Sequence, residues 1–379
     1  MPDQPIYLDN AATTPLEPAV FDVMKRYFLD DFGNSGSRTH GYGAVAAAAI
    51  EEARREVALV VDASPEEVIF TSGATESNNI AIQGLREDLR NRREIHIITT
   101  AIEHKAVLEP VEALLDFPVT VLPVDSSGRV DPSDVADALK DSTGLVSIMH
   151  VNNETGIVQP IDDIAAVLEN HWAWFHVDAA QGFGKDLSPL RNKRIDMISL
   201  SGHKIYGPKG VGALITRQRP DRTRPPLNPI SVGGGQERGL RAGTLPVPLI
   251  AGLGEAARLC RTNNNERNAV TNERATEIIK FIEDNGGIIN GDRTTSIPNI
   301  INASFEGLDS EAFIVSTKDL IAVSNGAACS SASYRLSHVL RAMNLPQERQ
   351  TSAIRFSPSH LTDPLDLSEV GERVAATRF

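Results

Sequence analysis

The sequence predicts an α/β protein built on a largely parallel β-sheet. Short apolar runs recur along the first two thirds of the chain, and segments with helical periodicity separate them. Apolar runs of this length are typical of strands buried on both faces, and their alternation with helices indicates βαβ units. The expected strands are residues 68–70, 95–98, 119–122, 145–149, 175–177 and 197–200.

The helix expected at residues 44–61 shows the clearest amphipathic pattern. Ala46, Ile50, Ala53 and Val57 recur at helical spacing, so they predict one face turned toward a core. Such helices between the strands would cover the faces of the sheet.

A second domain is expected because 379 residues exceed the usual length of one domain. Beyond Gly254 the pattern changes to a long polar helix at about residues 258–285, a strand at 301–305, a helix near 310–318 and a last helix near the C-terminus. We expect a large domain of residues 16–257 and a smaller α+β domain of residues 1–15 plus 258–379.

The charge balance argues against direct nucleic-acid binding. The chain has 37 Lys and Arg against 50 Asp and Glu, a net charge of −13, whereas such binding draws its affinity from phosphate contacts on a basic face. The Arg-rich residues 217–224 are either a local basic patch or, as we favour, a solvated loop.

Cysteine content and hydropathy predict a cytoplasmic protein. The two cysteines, Cys260 and Cys329, do not form a disulfide framework, although one bridge between them is conceivable, so we expect a reducing compartment. We expect neither a secretory signal nor a membrane helix, because no run approaches the roughly 18 apolar residues that a span requires.

Residues 71–77 form a candidate anion site. They follow an expected strand and open an expected helix, with Gly73 permitting a tight turn and Thr75 adding a hydroxyl. Helix N-termini of this kind suit a phosphate. An ordinary helix cap with a glycine turn is the alternative.

Three further side chains follow the ends of expected strands, where ligands bind in open α/β sheets. Asp178 could pair with a cationic group, Lys204 could form a Schiff base with an aldehyde, and His104 could stack on a ring and move protons. A capping aspartate, an exposed lysine and a capping or surface histidine are the respective alternatives. An anion site, a carboxylate and an amine together match what pyridoxal phosphate requires.

Cys329 lies among small residues, from Ser324 to Ser333. This composition favours a loop on which a thiol can act as a nucleophile. A small buried residue is the alternative, and it suits Cys260, which lies within a helical pattern.

Over nearly its full length the chain resembles cysteine desulfurases of the NifS/IscS type, which are class V aminotransferase-group enzymes with the fold-type I of pyridoxal-phosphate proteins. The matching stretches are residues 7–15, 71–78, 101–104, 150–156, 177–181, 201–210, 233–239, 241–244 and the Cys329 loop running into 338–342. The resemblance implies a homodimer with a large, mostly parallel seven-stranded sheet domain and a smaller α+β domain. It also implies conversion of L-cysteine to L-alanine, with a persulfide formed on the enzyme.

The resemblance also implies the site residues. Those of the cofactor, pyridoxal 5′-phosphate, are Ala74, Thr75, His104, Asn153, Asp178, Gln181, Ser201, His203, Lys204 and Thr244, the last serving the other subunit. The catalytic residues are Cys329, Lys204 and His104, and the substrate-binding residues are Asn34, Asn153 and Arg355. No residue is assigned to a metal.

The sulfur acceptor stays open. The chain departs from the family pattern at Ser35-Gly36 and at residues 334–336, so an acceptor could serve iron–sulfur assembly, tRNA thiolation or DNA phosphorothioation. A class V aminotransferase, a selenocysteine lyase and a noncatalytic sulfur-transfer scaffold are the alternative functions.

Overall fold

The computed structural model describes residues 4–92, 95–325 and 336–376, so Cys329 lies outside the described residues. The strands are β1 (Ile6–Tyr7), β2 (Val68–Thr71), β3 (His96–Thr100), β4 (Val119–Leu122), β5 (Thr143–Met149), β6 (Trp174–Asp178), β7 (Met197–Ser201), β8 (Gly212–Thr216), β9 (Gly287–Ile289), β10 (Ile301–Phe305), β11 (Ile321–Ala322) and β12 (Ala353–Phe356). The helices are α1 (Pro18–Leu29), α2 (Gly41–Val60), α3 (Ala74–Gln83), α4 (Arg86–Arg90), α5 (Lys105–Glu112), α6 (Pro132–Ala138), α7 (Ile161–Val167), α8 (Val247–Thr262), α9 (Asn264–Asp284), α10 (Ser310–Thr317), α11 (His338–Ala342), α12 (Gln347–Thr351) and α13 (Ser368–Ala376).

A seven-stranded sheet with the order β2-β8-β7-β6-β5-β3-β4 forms the centre of the fold. β4, β3, β5, β6 and β7 pair in parallel, and β8 runs antiparallel to its neighbours β2 and β7. Most of these strands are buried along their whole length, as expected for a sheet covered on both faces. The predicted α/β fold with a mostly parallel sheet is confirmed.

Helices α2 and α8 pack closely against each other on one face of this sheet. The predicted apolar face of α2 is buried, with Ala46 and Val57 fully inaccessible. On α8, a side chain at Gly254 would meet the Cβ of Ala53 at 2.6 Å. The glycine therefore lets the two helix backbones approach.

A smaller three-stranded antiparallel sheet, β12-β10-β9, has its own apolar core. Helices α9, α10 and α13 contribute to that core, which is centred on Phe305, Phe313 and Phe356. The start of the chain joins this region because β1 pairs in parallel with β11. The expected division into residues 16–257 and residues 1–15 plus 258–379 stays a prediction.

One sequence expectation about local structure was wrong, and a second held for most of its residues. The single helix expected at residues 258–285 is broken at Asn263, where α8 ends and α9 begins, because asparagine side chains favour helix ends over helix interiors. The Arg-rich segment is mostly an exposed loop, as we favoured, but its first residue, Arg217, is 3 % exposed and donates from Nη2 to the carbonyls of Val61 and Leu190. Across the described ranges, no helix has the length and apolar character needed to cross a membrane.

Candidate active site

A cavity of about 480 Å³ opens at the carboxyl ends of the parallel strands, the edge where open α/β sheets bind ligands. Segments that follow β2, β3, β5, β6 and β7 line it, together with residues 11–13 and one residue of β12. The cavity brings together the following predicted site residues: Ala74, Thr75, His104, Asn153, Asp178, Gln181, Ser201, His203, Lys204 and Arg355.

One end of the cavity is the turn from β2 into α3. Gly73 adopts φ 154° there, and β8 passes so close that a Cβ on Gly212 would meet the Gly73 Cα at 2.6 Å. The first N–H groups of a helix have no acceptor within the helix, so the start of α3, with the hydroxyls of Thr75 and Ser201, offers donors to an anion.

Glu76, in the first turn of α3, also lines this end of the cavity. Its carboxylate accepts from the backbone N–H of Ser72 at 2.5 Å and from Arg241 Nε at 3.1 Å. Burial acts to raise the pKa of Glu76, but these two donors outweigh it and the pKa is lowered. Arg241 thus compensates a negative charge that would otherwise oppose a bound phosphate.

Asp178 ends β6 and is 5 % exposed. Its Oδ2 accepts from Asn78 Nδ2 at 2.8 Å, and its Oδ1 accepts from the backbone N–H of Ala180 at 3.0 Å. Both donors are neutral, so they orient the carboxylate without compensating its charge. A buried carboxylate in this setting suits a cationic ligand group.

His104 is the residue before α5 and caps it. Its Nδ1 accepts from the backbone N–H of Ala106 at 3.1 Å, so the neutral ring carries its proton on Nε2. The capping alternative is therefore correct for one ring nitrogen. The residue also lines the cavity.

Lys204 lies in the short 3-10 turn that follows β7. Its Nζ donates to the carbonyl of Ala11 at 2.5 Å and to that of Ala12 at 2.9 Å. The adjacent His203 contacts Thr13 Oγ1 through Nδ1 at 3.2 Å. Burial, with the positive charge of Lys204 next, lowers the pKa of His203 to about 4, so this imidazole is a neutral partner at physiological pH.

Arg355 comes from β12 in the smaller sheet, and its side chain is 2 % exposed. Nη2 pairs with Asp9 Oδ1 at 2.7 Å, and Nη1 donates to the carbonyl of Asn153 at 2.9 Å. The guanidinium is thereby held at the cavity wall by groups from two distant parts of the chain. A planar guanidinium so placed suits a carboxylate.

Two buried acids next to site residues were missed by the sequence reasoning. Burial raises the pKa of Glu103 to about 8, despite donors from Thr100 Oγ1 at 2.7 Å and the backbone N–H of Met149 at 2.9 Å. Burial likewise raises the pKa of Glu154, which accepts from Ser337 Oγ at 2.5 Å. An acidic residue beside a candidate histidine or asparagine gives no sign in the sequence that it will be buried.

Two predicted residues do not reach the cavity within one chain. Asn34 is exposed, and its Oδ1 accepts from the backbone N–H of Gly36 at 2.8 Å, so its side chain is used to turn the chain. Thr244 is also exposed and does not line the cavity. The prediction for Cys329 lies outside the described residues.

Cys260, in contrast, is buried in α8 at 1 % exposure. Burial raises the pKa of its thiol to about 11, which leaves little nucleophilic thiolate. The prediction that Cys260 is a packing residue is confirmed. In the parts of the chain that the structure describes, no group of three His, Cys, Asp or Glu side chains could hold a metal ion.

Sequence comparison shows that this chain is similar to a known family of proteins. The pattern of the aminotransferase class-V family matches residues 6–366. A cysteine desulfurase of Homo sapiens is 45 % identical over 95 % of this chain and 78 % of its own length. The cysteine desulfurase IscS of Rickettsia felis is 44 % identical over 95 % of this chain and 88 % of its own.

Solved structures agree in fold. A NifS-like protein superposes with a TM-score of 0.89 at 33 % identity, covering 98 % of this chain and 99 % of its own. DndA from Streptomyces lividans has a TM-score of 0.80 at 47 % identity, with coverages of 93 % and 99 %. SspA in complex with cysteine has a TM-score of 0.80 at 38 % identity, with coverages of 93 % and 98 %. The predicted fold-type I architecture is confirmed.

Proposed function

The chain belongs to the aminotransferase class-V family and has the activity of a cysteine desulfurase, and from this premise we propose that its cavity holds pyridoxal phosphate while Cys329 receives the sulfur. The observation that carries the proposal is the meeting of three unlike groups in one cavity: the start of α3, the carboxylate of Asp178 and the amine of Lys204. They match the phosphate, the pyridine nitrogen and the aldehyde of that cofactor.

The residues present fit the cofactor chemically. Asp178 is oriented by neutral donors and so can accept from a protonated ring nitrogen. The N–H groups at the start of α3 can donate to the oxygens of a phosphate. When bound, the cofactor supplies an electron sink for a negative charge that develops at the substrate α-carbon. The remaining tasks belong to side chains of this chain.

Lys204 holds the cofactor and then moves the α-proton. The carbonyls of Ala11 and Ala12 keep Nζ at the cavity wall, where a free amine would be in reach of the substrate. In its neutral form Nζ is a base for the proton on the α-carbon.

Arg355 and Asn153 orient the substrate. The Arg355 guanidinium pairs with the α-carboxylate of cysteine and shares its charge with Asp9, which already accepts from Nη2. Asn153 positions this guanidinium through its backbone carbonyl, and its side chain is directed to cofactor or substrate by analogy with the family.

His104 and Cys329 complete the sulfur transfer. The Cys329 thiolate attacks the substrate sulfur, an S–S bond forms, and the carbon–sulfur bond of cysteine breaks with its electron pair left on carbon. Protonation of that carbon, with the α-proton returned by Lys204, releases L-alanine, and the substrate thiol proton stays on the persulfide sulfur. Because Nδ1 of His104 accepts from Ala106, its Nε2–H is the nitrogen that donates a hydrogen bond to the substrate sulfur. The sulfane sulfur on Cys329 then passes to an acceptor thiol. Because a free Cys329 thiol is required, we propose a reducing location such as the cytoplasm.

We propose a homodimer as the working form. Phe21 and Phe28 lie seven residues apart on α1, hence on one face, and are 52 % and 54 % exposed. Beyond the end of α1, the rings of Phe32 and Tyr42, exposed at 68 % and 54 %, stack with their centroids 5.4 Å apart. An exposed apolar surface of this kind suits an interface, and Thr244 would then serve the neighbouring cavity.

The acceptor stays open among iron–sulfur assembly, tRNA thiolation and DNA phosphorothioation.

The test compares the two cysteines. We expect Cys329→Ala to bind pyridoxal phosphate and develop its visible absorption, but to form no persulfide and almost no alanine from cysteine. Cys260→Ala, which removes the buried thiol, is the control and should keep both products. Normal alanine formation by Cys329→Ala would overturn the assignment of the nucleophile.

Products distinguish the alternative functions. A keto acid formed only with an amino acceptor would indicate an aminotransferase, and turnover restricted to selenocysteine would indicate a selenocysteine lyase. Failure of the unmodified protein to develop visible absorption with added cofactor would indicate a noncatalytic scaffold.

A further inference from the structure

The side-chain amide of Gln181 is held from two sides. Its Nε2 donates to the carbonyl of Ala11 at 2.9 Å, and its Oε1 accepts from Lys185 Nζ at 3.3 Å. Rotation of the amide by half a turn would place an oxygen against the Ala11 carbonyl and an NH₂ group against an ammonium. Both contacts would then be repulsive, so the two partners select one orientation.

This orientation matters because Gln181 lines the cavity. An amide nitrogen carries two hydrogens. One is used by the Ala11 carbonyl, which also accepts from Lys204. The second N–H of Nε2 is thus available to an acceptor on the ligand. A rotated amide would instead place its oxygen, which can only accept, where Nε2 now lies.

Lys185 is an unusual residue to find here. It is 8 % exposed, and its backbone carbonyl is held independently by the side-chain amides of Asn264 at 3.3 Å and Asn268 at 3.1 Å. Burial, with the charge of Lys204 next, lowers the pKa of Lys185 to about 7. Burying a lysine costs stability, so packing alone does not account for this side chain.

We propose that Lys185 is a positioning residue that fixes the amide of Gln181 with Nε2 as the donor toward the phenolic oxygen of pyridoxal phosphate, the atom that the family resemblance implies Gln181 contacts. The inference rests on the proposed function and extends it to a residue that does not line the cofactor cavity. Lys185 acts only through Gln181 and contacts no reacting atom.

The experiment is a double-mutant cycle on the full chain, with the dissociation constant for pyridoxal phosphate and the pH titration of the visible band as readouts. Lys185→Met keeps the length of the side chain and removes the donor. At pH 6, below the pKa of about 7 where Lys185 is mostly a charged donor, we expect it to weaken cofactor binding by about tenfold, the loss of one hydrogen bond from a charged group, and to shift the titration of the band. In the Gln181→Met background, Lys185→Met should change neither readout further.

Two variants control for charge and folding. Lys280→Met removes a lysine whose side chain is 73 % exposed and should leave both readouts unchanged. Lys185→Arg keeps a cationic donor. Lys185 lines a separate cavity of about 400 Å³, which gives the larger guanidinium room. This variant should retain most of the cofactor affinity, and it tests the inference even if Lys185→Met does not fold.

The outcomes separate the inference from the proposed function. Unchanged binding and absorption in Lys185→Met, an equal loss in the Gln181→Met background, or a loss in Lys185→Arg as large as that in Lys185→Met would each refute the positioning role. If the unmodified protein itself does not bind pyridoxal phosphate, the proposed function fails first.

Discussion

Removal of Arg54 should destabilise the protein far more than removal of its neighbour Arg55, although both lie on α2. The Arg54 side chain is 8 % exposed and donates to both carboxylate oxygens of Glu237, at 2.9 and 2.8 Å. The Glu237 side chain is 1 % exposed and also accepts from the backbone N–H of Phe70 at 2.7 Å. Arg55 pairs with Glu52, and both side chains are more than half exposed.

The structure sets the expected magnitudes. Arg54→Met leaves the Glu237 carboxylate buried with one neutral donor, and breaking a buried pair in this way costs about 3–5 kcal/mol. Arg55→Met removes an exposed pair, worth roughly 0–1 kcal/mol. The two changes carry the same helix-propensity effect because both replace an arginine by methionine within α2.

The difference in unfolding free energy is measured by urea unfolding of each variant at pH 7.5, with the fluorescence of the two tryptophans as the signal. One of them, Trp174, is 6 % exposed. The double variant Arg54→Met with Glu237→Met should lose at least about 2 kcal/mol less than the sum of the single losses. Additive single losses, or an Arg54→Met loss no larger than that of Arg55→Met, would refute the argument from burial.

Two further predictions concern acid stability and substrate affinity. The His176 ring lies between Ser147 Oγ at 2.8 Å and Ser199 Oγ at 3.0 Å, and burial lowers its pKa to about 4. As the pH falls, the unfolded chain therefore binds a proton at this histidine before the folded protein does. The free energy of unfolding should accordingly fall as the pH drops from about 6.5 to 4. In His176→Gln, urea unfolding should show that fall reduced by about 3 kcal/mol, and an unchanged pH dependence would contradict the assignment. Arg355→Lys should raise the KM for cysteine by at least about tenfold, because an ammonium cannot pair with a carboxylate through two parallel hydrogen bonds while also holding Asp9. An unchanged KM in steady-state kinetics would exclude a role of Arg355 in substrate binding.

Much of the fold could be predicted because periodicity is a local signal. β4 occupies the predicted residues 119–122, and β5, β6 and β7 extend the predicted runs by two residues or fewer at each end. β8 was missed because it begins at Gly212 and only Ala213, Leu214 and Ile215 form an apolar run within it. Its antiparallel direction depends on β2 and β7, and no local pattern specifies such neighbours.

The site was predictable where residues follow strand ends. Asp178, Lys204 and His104 meet because parallel strands present their carboxyl ends at one edge. The carbonyls of Ala11 and Ala12 could not be predicted, since any residue offers a carbonyl and their position depends on long-range pairing. Arg355 came from family resemblance alone, and a buried lysine beside Gln181 has no sequence signature.

The Ala11 carbonyl, which accepts from Lys204 Nζ, reaches its final position only after most of the chain has been synthesised. The segment that carries it is held by the end of the chain: Asn10 donates through Nδ2 to the carbonyl of Ser357, 347 residues later, and β1 pairs with β11. On the ribosome, Ala11, Asp178 and Lys204 therefore emerge well before β11 and Ser357, which hold the segment whose carbonyls contact Lys204 Nζ. The full set of cavity contacts therefore forms only when the chain is complete, and a nascent or truncated chain can contain every strand of the central sheet without the contacts that hold Lys204 Nζ.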